Sequence, residues 1–287
     1  MLCWNSQMLR LDRTLPLPAG GSIPVFGLGT WRMGEQARRR AEEADAIRYA
    51  LDLGVRLIDT AEMYGEGGAE EVVGEALAGR REGVCLVSKV YPHHAGRREL
   101  PLACEHSLRR LRTERLDLYL IHWRGAVPLE ESFGALERLR EQGKIAAYGV
   151  SNFDAEDLEE MAGCDRGMTA SNQVLYHLAR REAEWAVLPW CRRRGIPVMA
   201  YCPLDQGRLV RRPELRRVAE RLGATPAQVA LAWLLAQEGV VVIPKSSSRE
   251  RIQENAGACQ LRLDAAARGE LERAFPPPRR PARLGII

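Results

Sequence analysis

Eight short apolar runs, each followed by a helical pattern, constrain this chain more than any other feature. The runs are 25–29 (VFGLG), 55–58 (VRLI), 84–88 (VCLVS), 116–121 (LDLYLI), 146–150 (AAYGV), 169–174 (TASNQV), 197–201 (PVMAY) and 240–243 (VVVI). Runs apolar on both faces read as strands of a parallel sheet. Amphipathic patterns lie between them at 37–53, 69–78, 98–112, 130–142, 154–162, 182–194, 214–222 and 226–236. In the first, Ala41, Ala44, Ile47, Ala50 and Leu51 recur at helical spacing, and Gly54 supplies a stop. Thr225 before Pro226 reads as an N-cap followed by proline at the first helical position.

Strand–helix alternation repeated eight times in about 260 residues matches a (β/α)8 barrel of the TIM type. A doubly wound sheet would normally open with G-x-G-x-x-G after its first strand. Here the first strand gives GLGTWRMG, whose third glycine is misplaced; GEGG at 65–68 also fails. No Walker A motif occurs, since Gly143–Lys144 is followed by Ile145. Ahead of the barrel, LRLDRTLPL and SIPV flank the turn-rich PAGG, which predicts a β-hairpin within 1–26. The expectation is one barrel domain over 1–287, with a C-terminal helix and short tail from 259 to 287.

Composition excludes several functions. Basic and acidic residues number 42 and 38, for a net charge of +4, and are interspersed. The runs Arg38–Arg40 and Arg192–Arg194 lie in helical stretches beside acids and read as solvated faces, not as a nucleic-acid site. The seven cysteines contain no C-x-x-C pair, which indicates reduced thiols in a cytoplasmic protein rather than a disulfide framework or a zinc site. The segment MLCWNSQMLRLDR has no apolar h-region, so no signal peptide is expected. No apolar run is long enough for a membrane span, and no metal site is expected.

Reactive side chains gather where such a barrel carries chemistry, at the C-terminal ends of its strands. Strand two ends at Asp59, with Tyr64 in the next loop; strand three ends at Lys89; strand four ends at His122. Each alone could cap a turn. Together, on successive strands, they form one rim. Only three of the 42 basic residues are lysines, Lys89, Lys144 and Lys245, and two of these fall at strand ends. An ammonium is a compact point charge that can stabilise a phenolate, whereas a guanidinium is a planar fork. Lys89 is therefore expected to lower the pKa of Tyr64, with Asp59 as its counter-ion. His122 can orient a substrate oxygen for protonation by Tyr64. Such a site suits carbonyl reduction, with the hydride drawn from a cofactor. Strand eight runs into Lys245, Ser246, Ser247 and Ser248, then Arg249 and Arg251, an anion cradle near a helix start. A phosphate monoester suits it; a serine-capped turn with surface arginines is the plainer reading. Lys144, in the turn QGKI, reads as ordinary.

These motifs resemble those of the aldo-keto reductase superfamily over essentially the whole chain: GLGTWRMG, LIDTAEMYG, LVSKVYP, LYLIHW, GKIAAYGVSNF, ASNQVLYH, MAYCPL and IPKSSSRERIQEN. The resemblance implies a barrel that binds NADPH without a Rossmann fold. It maps the catalytic tetrad onto Asp59, Tyr64, Lys89 and His122, with Tyr64 as general acid in reduction and base in oxidation. Ser151, Asn152 and Gln173 would hold the nicotinamide carboxamide, which would account for a polar sixth strand. Tyr201 would stack on the nicotinamide, with Cys202 and Leu204 as further cofactor contacts. Lys245, Ser246 and Arg251 would bind the 2′-phosphate, Glu254 and Asn255 the adenine, and Trp31 and Trp123 would line the substrate pocket. Cys202 departs from the usual serine, which points to a backbone contact there. The tail PPPRRPARLGII is short for the family and suggests an open site for small aldehydes and ketones. TAEMYGEGGAEEVVGEAL and NQVLYHLARR look closest to the bacterial branch with methylglyoxal reductases. The implied function is NADPH-dependent reduction of methylglyoxal-like or aromatic aldehydes by a monomer. The alternative is a non-catalytic NADPH-binding or structural module on the same fold.

Overall fold

The computed structural model describes residues 9–287; the first eight, including Cys3 and the start of the anticipated hairpin segment, lie outside the described residues. Strands β1 (Thr14–Pro16) and β2 (Ser22–Pro24) form the antiparallel hairpin, with Leu15 opposite Ile23. Eight parallel strands follow: β3 (Leu28–Gly29), β4 (Leu57–Asp59), β5 (Cys85–Val90), β6 (Leu116–Ile121), β7 (Ile145–Ser151), β8 (Asn172–Leu175), β9 (Val198–Tyr201) and β10 (Val240–Val242). They pair in sequence order. The ring closes between its first and last members: Gly27 N donates to Val242 O at 2.9 Å and Val242 N to Val25 O at 2.9 Å. Closure leaves no edge strand to be covered.

The helices are α1 (Arg40–Asp52), α2 (Gly68–Ala76), α3 (Glu99–Leu111), α4 (Leu129–Glu141), α5 (Ala155–Ala162), α6 (Val187–Arg193), α7 (Pro213–Arg221), α8 (Pro226–Leu235), α9 (Arg249–Gly257) and α10 (Ala265–Ala274). Helix α9 packs on α1 and α8 and so completes the outer ring, while α10 packs on α7. Thr225 caps α8 as expected: its Oγ1 accepts from Gln228 N at 3.2 Å, and Gln228 Oε1 accepts from Thr225 N at 3.0 Å. The expected helix 182–194 is instead a short turn, Glu182–Glu184, followed by α6. Proline has no N–H and is disfavoured in a helix interior, so the restart puts Pro189 in a first turn.

The strands divide the core in two. Leu57, Val87, Leu118, Leu120, Ala147, Met199, Val241 and Ile243 pack together inside the barrel, and Ile23 of the hairpin joins them as a plug. Ile58, Leu86, Tyr119, Ile121, Tyr148, Val150, Val174 and Val242 pack outward against the helices. This is the period-two alternation of a strand, buried on both faces. Gly149 occupies an inner position where a Cβ would lie 2.5 Å from Ser171 O and 2.9 Å from Leu120 Cδ2, so a side chain there would force the strands apart.

Candidate active site

The same alternation decides what reaches the mouth of the barrel. Two residues beyond inward Leu57 stands Asp59; two beyond Val87, Lys89; two beyond Leu120, His122; two beyond Met199, Tyr201; two beyond Ile243, Lys245. Gln173 faces inward because it pairs with Met199, and Ser151 because it pairs with Gln173. An aliphatic layer inside the barrel thus gives way, one inward position later, to a polar layer. The outward neighbour Ser88 is spent differently, donating to the buried carboxylate of Glu70, which also receives Arg110.

Lys89 is fully buried, and its ammonium has three partners. Nζ donates to Asp59 Oδ2 at 2.8 Å, to Thr60 O at 2.8 Å and to Tyr64 Oη at 3.2 Å. The other oxygen of Asp59 accepts from Gln173 Nε2 at 2.8 Å. Burial works against the lysine's charge, but Asp59 and Tyr64 outweigh it and its pKa is raised. For Tyr64, burial is the largest influence and raises the pKa; Lys89 pulls it down without prevailing. The expectation that Lys89 leaves Tyr64 more acidic than a free phenol is therefore corrected. In the protein without ligand, the ammonium offsets part of the desolvation and no more.

Tyr64 sits on a loop bent by successive left-handed residues, Gly65 (φ 59°), Glu66 (φ 54°) and Gly67 (φ 92°). That conformation costs a non-glycine residue about 1 kcal/mol, which accounts for Gly65 and Gly67; Gly68 has ordinary helical backbone, but a Cβ there would lie 2.7 Å from Gly34 O. The preceding residue pair is anchored by Glu62. Its buried carboxylate accepts from Tyr91 N at 2.5 Å and meets His94 Nδ1 at 3.2 Å, tying the Tyr64 loop to the loop that follows Lys89. Sequence reading passed over Glu62; its signal was an acid between two apolar positions, indistinguishable from a surface residue.

The His122 ring lies edge-on to Tyr64, with centroids 5.8 Å apart. Burial, followed by the charge of Lys89, depresses its pKa to about 2, so it is neutral at any working pH. Its buried Nδ1 has no protein partner among the described residues. Trp123 packs against His122 at 5.0 Å, and Trp31 faces the same space with Arg32 over its ring at 4.4 Å. On the next strands, Ser151 Oγ donates to Gln173 O at 2.9 Å, Asn152 Nδ2 to His122 O at 3.0 Å, and Tyr201 Oη to Asn152 Oδ1 at 2.9 Å. Asn152 (φ 58°) and Cys202 (φ 53°) both take left-handed backbone at this rim. For a cysteine that is strain, a feature that concentrates at functional sites.

A groove of about 1590 Å³ joins these groups to the end of β10. Apart from Lys89, which stands behind Asp59 and Tyr64, every residue expected in the tetrad, the cofactor site or the substrate pocket lines it, including Leu204, Glu254 and Asn255. Arg249, expected in the anion cradle, does not: its guanidinium lies over the Tyr49 ring, 5.4 Å from the centroid. At its far end lie Lys245, Ser246, Ser247 and Arg251. Ser248 is the N-cap of α9, its Oγ accepting from Arg251 N at 3.3 Å, and it lines the groove together with Ser246 and Ser247. Burial lowers the pKa of Lys245; Glu43 and Glu35 oppose this, while Arg39 and Arg32 add to it. Lys144, by contrast, forms a surface pair with Glu105.

A further expectation fails here. The run Arg38–Arg40 is not uniformly a solvated face: Arg38 is exposed, but Arg39 turns into the groove and donates to Ser247 Oγ at 3.0 Å. The short tail reaches the groove, where Ile286 and Ile287 line it while staying 59% and 58% exposed, and Leu284 packs on the core. Among the described residues no cluster could hold a metal, no helix is long and apolar enough to cross a membrane, and all six cysteines are unpaired.

Comparison with known proteins gives the family. The model of the aldo/keto reductase family matches residues 25–274. Methylglyoxal reductase YeaE of Escherichia coli is 47% identical over 272 residues, covering 93% of this chain and 96% of the relative. Glyoxal reductase of Bacillus subtilis is 38% identical over 254 residues, covering 88% and 89%. The crystal structure of an aldo/keto reductase from Klebsiella pneumoniae in complex with NADP and acetate superimposes with a TM-score of 0.93 at 48% identity, over 96% of this chain and 99% of that one. With the family model matched over most of the chain and both sequence and fold shared with these relatives, the chain belongs to the aldo/keto reductase family.

Proposed function

We propose that this protein reduces small aldehydes and ketones with NADPH, taking methylglyoxal-like dicarbonyls or aromatic aldehydes, and that Tyr64 is the general acid. The observation that carries this reading is the 3.2 Å contact between Tyr64 and a fully buried Lys89, in the groove that ends at Lys245 and Arg251. The dicarbonyl preference rests on the two relatives named for methylglyoxal and glyoxal reduction. The cofactor rests on the NADP bound by the Klebsiella relative and on the donors present here. A half-buried lysine beside two arginines, with its charge disfavoured, is an environment that an incoming dianion relieves.

The roles then follow from the side chains. NADPH, when bound, supplies the hydride that becomes the new C–H bond. Tyr64 gives its phenolic proton to the carbonyl oxygen as that oxygen gains charge, and Lys89 stabilises the phenolate left behind. Asp59 keeps Lys89 charged. Neutral His122, whose Nδ1 has no protein partner, would carry its proton on Nε2 and offer the same oxygen a hydrogen bond without giving the proton up. Ser151, Asn152 and Gln173 would hold the carboxamide, Tyr201 the ring face, with Cys202 and Leu204 beside it. Lys245, Ser246 and Arg251 would take the 2′-phosphate, and Glu254 and Asn255 the adenine. Trp31, Trp123 and the tail residues Ile286 and Ile287 would bound a small substrate. The protein would act as a monomer in the reducing cytoplasm.

The test is a carbonyl panel with NADPH, ranked by kcat/KM, alongside Tyr64→Phe. The substitution is expected to lower kcat by about 10²–10⁴-fold with NADPH binding retained, the range for loss of a general acid. Undiminished turnover would remove Tyr64 from the mechanism. A wild type that binds NADPH yet reduces no carbonyl would instead identify a non-catalytic binding module.

A further inference from the structure

The geometry points to Arg39 as a fourth ligand of the cofactor's 2′-phosphate, reaching it from the segment before α1, across the β3–β10 seam from Lys245, Ser246 and Arg251. This rests on the NADPH reading above and extends it to a residue outside the β10 end. Arg39 stands immediately before α1, in the connection after β3, while Ser247 follows β10. The two segments are 208 residues apart in sequence and adjacent because the barrel closes between β3 and β10. Across that seam, Arg39 Nη2 donates to Ser247 Oγ at 3.0 Å.

A surface ion pair within the helix start would account for only part of this. Arg39 Nη2 does lie 3.5 Å from Glu42 Oε1, three residues along, but that is a long and half-exposed contact. The contact does not explain why the guanidinium reaches across the seam to a hydroxyl. Nor does it explain the company Arg39 keeps: Lys245 feels its positive charge, and Arg251 lines the same end. Like charges gathered in one cleft repel one another until an anion enters. A guanidinium meets a phosphate with two parallel N–H bonds, which a lysine cannot do. With Arg39 before α1 and Arg251 in α9 both lining the groove, a phosphate monoester would be held by guanidinium groups from two segments, with the Ser247 hydroxyl beside Arg39.

The experiment measures dissociation constants for NADPH and NADH by quenching of protein fluorescence, in wild type, Arg39→Ala, Arg39→Lys and Arg38→Ala. Arg39→Ala is expected to weaken NADPH by roughly tenfold or more, the effect of one charge-assisted contact, and NADH by less than twofold. Arg39→Lys keeps the charge without the fork and should recover part of the loss. Arg38→Ala, an exposed neighbour, controls for general charge and should leave both constants in place. An NADPH:NADH ratio in Arg39→Ala equal to that of wild type overturns the assignment, whether both affinities fall together or neither moves. A wild type that binds the two cofactors equally overturns the 2′-phosphate reading itself, which is a separate outcome from failure of Arg39 alone.

Discussion

Each hydrogen on the Lys89 ammonium has a named acceptor: a carboxylate, a backbone carbonyl and the Tyr64 phenol. A tetrahedral donor suits three acceptors arranged around a point, and a planar fork does not. Lys89→Met should therefore do two things. It strands the Asp59 charge in a buried site, which costs about 3–5 kcal/mol of stability and is read as a lower urea midpoint. It also removes the one influence that pulls the pKa of Tyr64 down. On the proposed role of Tyr64, alcohol oxidation would need the phenolate, so its rising limb should move to higher pH, while reduction would need the phenol and should keep its plateau. The check is a pH profile of both directions from 7 to 10.5; an oxidation limb that stays in place would show that Lys89 does not tune Tyr64. Lys89→Arg should not restore wild-type oxidation. At this scale the sequence carried much of the site, because an arginine-rich chain that keeps a lysine at a strand end marks it. It did not carry Arg39 or Glu62. Their types are abundant here, and only the closed barrel brings Ser247 within reach of one and Tyr91 within reach of the other.

Elements were legible in proportion to how far local chemistry alone defines them. Helix α8 is the clearest case, since Thr225, Pro226 and Gln228 form a reciprocal cap that depends on nothing distant. Thr225→Ala is expected to cost about 1 kcal/mol and to lower Tm by about 2–4 °C. Thermal unfolding followed by circular dichroism measures this, and a Tm within 1 °C of wild type would mean that packing alone holds the helix start. Strand β8 shows the opposite limit. Its polar residues fit no strand pattern by themselves, and the ladder covers Asn172–Leu175 rather than the expected 169–174. Their amide nitrogens have buried partners: Asn172 Nδ2 donates to Phe153 O at 2.9 Å and Gln173 Nε2 to Asp59. Those partners come from the connection after β7 and from β4, so the pattern becomes readable only after the barrel is assembled. The break before α6 turned on one proline, whose effect depends on which turn of the helix it falls in.

For the whole molecule, the number and order of strands followed from alternation alone, whereas the groove's mouth did not. Whether Ile286 and Ile287 reach it or hang free depends on a surface that no local pattern encodes. Assembly also sets how the fold responds to acid. Two histidines are buried as neutral rings: His122, depressed to about 2, and His177, depressed to about 4, both chiefly by desolvation. His177 is 1% exposed; its Nδ1 accepts from Ala179 N at 3.3 Å, and its Nε2 has no partner within hydrogen-bond distance among the described residues. Both folded values lie below the ordinary 6.5, so the unfolded chain binds protons that the folded chain refuses. Their contribution is complete above pH 6.5 and is lost as pH falls toward the folded values. Between pH 7 and pH 5 each histidine should withdraw about 2 kcal/mol of stability, in a range where ordinary carboxylates have barely begun to titrate. Urea midpoints at the two pH values should thus differ clearly in the wild type. His177→Asn keeps an acceptor near Nδ1 but cannot titrate, so its pH-induced shift should be about half as large. If that variant loses stability between pH 7 and pH 5 as steeply as wild type, His177 does not supply the slope, and the acid sensitivity of the barrel originates elsewhere.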